Sequence, residues 1–104
     1  MSKEFSRYQR LGNQVLRTLN GLLTLEVQDP RLKMVTLNSI DLSRDLSIAR
    51  IHFIILVQNI SPEIVKNALD RANGFLRSRM SQEMKIRQVP ELRFFHDCCK
   101  LFFL

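Results

Sequence analysis

The tripeptide Ala72-Asn73-Gly74 interrupts a run of helical periodicity that otherwise extends from about Pro62 to Met84. Upstream, Ile64, Val65, Ala68, Leu69 and Ala72 recur at helical spacing; downstream, Leu76, Met80 and Met84 do the same. A glycine inside a helix costs ~1 kcal/mol relative to alanine, so its presence there needs a reason. One reading is a kink between two helices, where the missing side chain permits an unusual backbone angle or a close approach. The other is that Gly74 simply ends a helix. Arg71, Arg77 and Arg79 surround the break. A small-residue break ringed by arginines, placed after two strands, points to a surface that meets a phosphate backbone.

The charge balance points the same way. Sixteen Lys and Arg against ten Asp and Glu give the 104-residue chain a net charge of +6, with a pI near 10.0. That favours a polyanionic partner, nucleic acid before membrane surfaces or acidic proteins. A chain of this length has room for one core. Hydrophobic content of 45%, with only three Gly and three Pro, describes a folded domain and not a linker. Cys98 and Cys99 are adjacent, a spacing that strains a mutual disulfide, and with His52 and His96 they make no metal-ligand pattern. Reduced thiols, no metal and no cofactor are expected. No apolar run approaches the ~18 residues of a membrane span, and Met1-Ser2-Lys3-Glu4 lacks the apolar core of a signal peptide. The expected location is the cytoplasm.

Along the chain, Lys3 to about Val27 reads as a helix. Tyr8, Leu11, Val15, Leu19, Leu22 and Leu23 mark one face, while Lys3, Arg7, Arg10, Gln14 and Arg17 fall together on a roughly opposite face. No acid interleaves this stripe, so its cations cannot pair with one another's neighbours at i,i+4, and it is a candidate nucleic-acid contact. Asp29-Pro30 stops the helix. Two strand-like runs follow, Met34 to Leu42 and Ile48 to Val57, the second with Ala49, Ile51, Phe53 and Ile55 on one face. The short polar connector Ser43-Arg44-Asp45-Leu46-Ser47 predicts an antiparallel pair. Ser61-Pro62-Glu63 is a helix start: an N-cap, a first-turn proline and an acid at the positive end of the dipole. Pro90 then restarts an extended run in which Leu92 and Phe94 alternate with Glu91, Arg93 and Phe95. The order helix, strand, strand, helix, kink, helix, strand predicts an α+β domain of two layers, helices over one face of a small sheet.

This order and its punctuation resemble the ribosome-binding factor A family. The resemblance runs from about Lys3 to Phe95. It rests on Asp29-Pro30-Arg31-Leu32, Met34-Val35-Thr36, Ser43-Arg44-Asp45-Leu46, Ala72-Asn73-Gly74-Phe75-Leu76-Arg77, and Met84-Lys85-Ile86-Arg87 leading to Pro90-Glu91-Leu92-Arg93-Phe94. Each piece alone is weak; five in order are not. The resemblance implies a type II KH-like fold over residues 1–97, in which Ala72-Asn73-Gly74 stands where other KH domains carry the Gly-x-x-Gly loop that grips phosphates. It implies binding to the small ribosomal subunit and its rRNA during late maturation and rRNA processing. A role in cold adaptation and release before translation are further implications, with assembly GTPases and initiation factors as functional neighbours. The family usually continues into an acidic, helical or disordered tail, whereas this chain ends on Cys98-Cys99-Lys100-Leu101-Phe102-Phe103-Leu104, a short apolar tail.

Catalysis finds no support in the residues. His52 lies between Ile51 and Phe53, His96-Asp97 has no serine or cysteine motif around it, and Gly12, Gly21 and Gly74 are too far apart to form a phosphate loop. A non-enzymatic, monomeric RNA-binding factor is expected. Its candidate contacts are Lys3, Arg7, Arg10 and Arg17 on the first helix, with Arg71, Asn73, Gly74, Arg77, Arg79, Lys85 and Arg87 around the break. Few exposed aromatics are expected, so specificity falls to RNA shape. The alternative is a protein-interaction module that presents its basic face and Phe-rich tail to an acidic protein partner.

Overall fold

The apolar stripe of the first helical stretch does what its spacing predicts. In the computed structural model, which describes residues 3–57 and 59–97, α1 spans Lys3–Leu25. Val15, Leu19, Leu22 and Leu23 are buried, with Leu11 and Leu16 packed against them. The last turn of α1 has no basic residue of its own. Lys33 supplies one from outside, its Nζ donating to the Thr24 carbonyl at 2.6 Å and reaching the Leu23 carbonyl at 3.4 Å.

Asp29-Pro30 ends that helix and at once starts a 3-10 turn, Pro30–Met34. Asp29 is its N-cap, accepting from the Arg31 backbone N–H at 3.0 Å, and the Arg31 guanidinium closes back on the same carboxylate at 2.9 and 2.7 Å. That guanidinium holds the Asp29 carboxyl below the usual carboxylate range. The turn drives Leu32 into the core.

Strand β1 (Val35–Leu42) and strand β2 (Ile48–Ile55) pair antiparallel, as the short connector predicts. The register shifts between Leu37 and Ser39, a bulge at Asn38. Beside it, at the open edge of β1, the Asn20 side-chain amide on α1 satisfies both main-chain groups of Leu37, donating to its carbonyl at 3.0 Å and accepting from its N–H at 2.9 Å. In the connector, Asp45 accepts from the Ser43 hydroxyl, the Ser47 hydroxyl and the Ser47 N–H, while Leu46 takes a left-handed φ of 62°.

Helix α2 (Pro62–Met84) begins on the Ser61 cap and closes with Lys85 in the left-handed region. The sequence predicts two helices meeting at Ala72-Asn73-Gly74; the structure instead carries one helix through all three residues, and Gly74 has no positive φ. The reason is packing on both sides of the glycine. Val65, Ala68 and Leu69 before it, and Leu76 and Met80 after it, are all buried in the same core, which outweighs a local cost of ~1 kcal/mol.

Strand β3 (Glu91–His96) lies parallel to β2, so the three-stranded sheet runs β1-β2-β3 with α2 as the crossover. Ala49, Ile51 and Phe53 on β2 and Leu92 and Phe94 on β3 join the buried residues of both helices in one cluster. Both helices therefore cover the same sheet face, and the two-layer α+β arrangement expected from the sequence holds. The tail from Cys98 to Leu104 lies outside the described residues.

Candidate nucleic-acid interface

The basic stripe of α1 stands where its periodicity puts it. Arg7, Arg10 and Arg17 are exposed, Arg10 and Arg17 on the side of the helix opposite Val15, Leu19 and Leu22, and Arg7 on its flank. None of the three forms an ion pair among the described residues, whose salt bridges are Arg31–Asp29, Lys66–Asp70, Arg79–Glu26 and Arg93–Glu91. The side chain of Lys3 lies outside the described residues.

Hydrogen bonds draw other elements to the amino-terminal end of this stripe. The Tyr8 hydroxyl donates to the Arg44 carbonyl at 2.9 Å, fixing the β1–β2 connector against the first turns of α1. Arg44, exposed at the tip of that connector, therefore neighbours the stripe. Sequence reasoning passes over it because the contact joins residues 36 positions apart. On the connector's other side, the Ser47 carbonyl accepts from the Glu91 N–H at 2.8 Å and fixes the start of β3; Lys85 and Arg87, in the stretch between α2 and β3, are exposed.

The residues around the expected helix break divide into two groups. Arg71 is exposed and Gly74 is bare: a Cβ built on Gly74 would meet nothing within 4 Å. These two offer open surface. Asn73, Arg77 and Arg79 are engaged within the fold. Asn73 Nδ2 donates to the Leu92 carbonyl at 2.9 Å. Arg77 donates through Nε to the Pro90 carbonyl at 3.1 Å and through Nη2 to the Val89 carbonyl at 3.0 Å. Arg79 bonds Glu26 at 2.9 Å and so ties α2 to the end of α1. Their spacing around the glycine signals a cluster, but the fold uses these three side chains to hold β3 and α1 in place.

Exposed aromatics are few among the described residues, and there are two. Phe75 and Phe95 remain 43% and 40% exposed, Phe75 on α2 next to Gly74 and Phe95 on the outer face of β3. The alternation of Leu92 and Phe94 against Arg93 and Phe95 is the sequence signal for the second.

The outer surface of the helix layer thus carries Arg7, Arg10 and Arg17 on α1, and Arg71 beside an open glycine on α2. Arg44, Lys85 and Arg87 extend the positive charge at loop ends. Such an array has the charge to neutralise phosphates, and the bare Gly74 has the room for a backbone to approach closely. Among the described residues no group of His, Cys, Asp or Glu is disposed to hold a metal, and no helix is long and apolar enough to cross a membrane.

Comparison with known proteins finds one family along most of the chain. The description of the matching family is ribosome-binding factor A, over residues 7–99. A ribosome-binding factor A from Marinomonas sp. (strain MWYL1) is 44% identical over 100 residues, 93% of this chain and 78% of that protein. The one from Stutzerimonas stutzeri (strain A1501) is 45% identical over 100 residues, with the same coverages of 93% and 78%. Among solved structures, the crystal structure of ribosome-binding factor A from Thermus thermophilus superposes with a TM-score of 0.77 at 26% identity, covering 86% of this chain and 94% of that one. A homology model of the Thermus thermophilus factor, as fitted into the cryo-EM map of its 30S complex, gives a TM-score of 0.68 at 26% identity, covering 81% of this chain and 88% of that one. The fold is KH-like, as are those structures.

Proposed function

The chain belongs to the ribosome-binding factor A family, and we propose that it binds the small ribosomal subunit through its rRNA, using the outer surface of the helix layer. The observation that carries this reading is the set of exposed cations on α1, Arg7, Arg10 and Arg17, free of ion pairs among the described residues. Arg71, with the open surface at Gly74, continues the array on α2. The Thermus relative described in complex with 30S supports the choice of partner. In this role arginines set affinity and orientation on phosphates, and the bare glycine lets an RNA backbone come closer than any side chain would permit.

The finer reading follows the family. The chain acts late in small-subunit maturation and rRNA processing, supports growth in the cold, and works in the cytoplasm as a monomer beside assembly GTPases and initiation factors. Residues 1–97 form the binding domain; the apolar stretch 98–104 is dispensable for subunit binding. It is a binding factor and not an enzyme. Asn73, Arg77 and Arg79 contribute indirectly, by holding the helix layer and β3 in register, while Arg71, Lys85 and Arg87 meet phosphates with the α1 stripe.

The test is sedimentation of tagged protein from lysate through a gradient that separates free small subunits from whole ribosomes. Co-migration with free small subunits, abolished by nuclease, is the expected result. A nuclease-resistant complex with a protein lighter than the subunit would replace this reading with the protein-interaction alternative.

A further inference from the structure

The sheet face turned away from the helices carries a second ordered array. Strand alternation places Arg50 and His52 of β2 on it, with Arg93 and Phe95 of β3. Register then sets them in two rows: Arg50 is the Cα partner of Arg93, and His52 that of Phe95. The rows lie about 7 Å apart along the strands.

Each row is unusual for an exposed face. His52 and Phe95 pack ring against ring, centroids 5.7 Å apart and tilted by 33°, yet Phe95 stays 40% exposed. Like charges directly opposite on adjacent strands are destabilising, and here two arginines face each other. Glu91 satisfies only one of them, accepting from Arg93 Nε at 2.8 Å. Arg50 forms no ion pair among the described residues, although Asp41 of β1 is its partner in register. An arginine without an ion pair among the described residues, one row from a half-exposed stacked ring, is the pairing that single-stranded nucleic acid recognises, a π-face for a base and a guanidinium for the next phosphate.

We propose that this outer sheet face binds an unpaired stretch of RNA, one base stacking on Phe95 beside His52 and an adjacent phosphate meeting Arg50. The inference rests on the reading that the partner is RNA, but it uses a surface on the opposite side of the domain from α1 and α2. The protein would then hold structured RNA on its helices and a single strand on its sheet. The choice of RNA over an apolar peptide rests on the Arg50 guanidinium, which forms no ion pair among the described residues and stands beside the aromatic platform, with Asp41 and Glu91 as the acids of the same face.

The test is an NMR titration of the full chain with a single-stranded ten-residue oligoadenylate and, separately, with an RNA duplex, repeated for Phe95→Leu and Arg50→Gln. The expected result is movement of the Phe95 ring, His52 ring and Arg50 amide signals by the single strand. Each substitution should weaken single-strand affinity about tenfold, while duplex affinity stays unchanged. Arg50→Gln, at an exposed position, should also lower the salt slope of single-strand binding by about 0.7. Phe95→Leu keeps an apolar side chain, and thermal melting of both variants separates loss of binding from loss of fold. Perturbation confined to α1 and α2, with unchanged affinity in both variants, would overturn this inference and leave the helical interface standing. Movement of the same sheet signals on dilution without RNA would assign the face to a second copy and overturn it. If neither oligonucleotide nor small subunits bind the wild-type chain, both readings fall.

Discussion

Replacing two helical glycines by alanine should stabilise the protein at one position and not at the other. Gly12 on α1 and Gly74 on α2 both sit inside helices, so each gains the same intrinsic preference of alanine over glycine, ~1 kcal/mol. Their surroundings differ. At Gly74 the new Cβ meets nothing within 4 Å, so the gain is undiminished and Tm should rise by about 4–8 °C. At Gly12 the new Cβ would lie 2.9 Å from Ile40 Cγ2, well inside the ~3.5–4.0 Å of a good carbon contact. That methyl sits on a branched, stiff Cβ in β1 and cannot swing aside, so α1 must lift from the sheet at a cost of about 1–3 kcal/mol. Because the helix preference cancels between the two variants, their difference isolates the contact, and urea unfolding followed by far-UV circular dichroism should place Gly12→Ala about 1–3 kcal/mol below Gly74→Ala. Equal gains at both sites would refute the close approach of α1 to β1. A loss at Gly74 would refute the continuous helix and restore the kink. The same Gly74→Ala protein should bind small subunits more weakly despite its greater stability, because its methyl group occupies the surface left open for an RNA backbone.

Three further outcomes follow from the hydrogen bonds. Asn20→Ala should lower stability by about 1–3 kcal/mol in urea unfolding, since it strips partners from both the N–H and C=O of Leu37. Asn73→Ala should cost about 1 kcal/mol and raise amide exchange along β3, whose Leu92 carbonyl loses its donor, a readout that a purely RNA-contacting asparagine would not move. Asp45 bears on acid stability: the Ser47 hydroxyl, the Ser47 N–H and the Ser43 hydroxyl all donate to its carboxylate and lower its folded pKa. A depressed folded value gives stabilisation that is present above the unfolded value of about 3.9 and lost as pH falls through the folded one. Asp45→Asn should therefore be less stable at neutral pH and show a shallower loss on acidification below about pH 4, measured by melting temperature across pH.

Much of the fold is legible in local chemistry, and the rest depends on contacts distant in sequence. Ser61-Pro62-Glu63 announces α2, and the alternation of Ile51, Phe53 and Ile55 marks the buried face of β2, because capping and pleat alternation involve residues a few positions apart. Asp29-Pro30 reads correctly as a stop, but its second role as cap of the 3-10 turn depends on Arg31 folding back on the carboxylate. Gly74 misleads because its local cost is visible, whereas the burial of Leu69 and Leu76 on either side, which keeps the helix whole, is a tertiary effect. The α1 stripe is legible for the opposite reason: the side of a helix opposite its apolar face must point to solvent. Asn73, Arg77 and Arg79 look like phosphate contacts by spacing, and only their partners Leu92, Pro90, Val89 and Glu26, up to 53 positions away, reveal that the fold employs them. Arg44 is missed for want of the same long-range information.

The helical interface stands or falls on the α1 stripe. Affinity of purified small subunits for the wild-type chain and for Arg10→Glu/Arg17→Glu, measured across a range of salt concentrations, tests it directly. Both residues are exposed and opposite the core, so the variant should melt as the wild type does. Each phosphate contact contributes about 0.7–0.9 to the slope of log affinity against log salt. The account predicts a large loss of affinity and a slope reduced by about 1.4–1.8, whereas a folded double variant that keeps wild-type affinity and slope would contradict it.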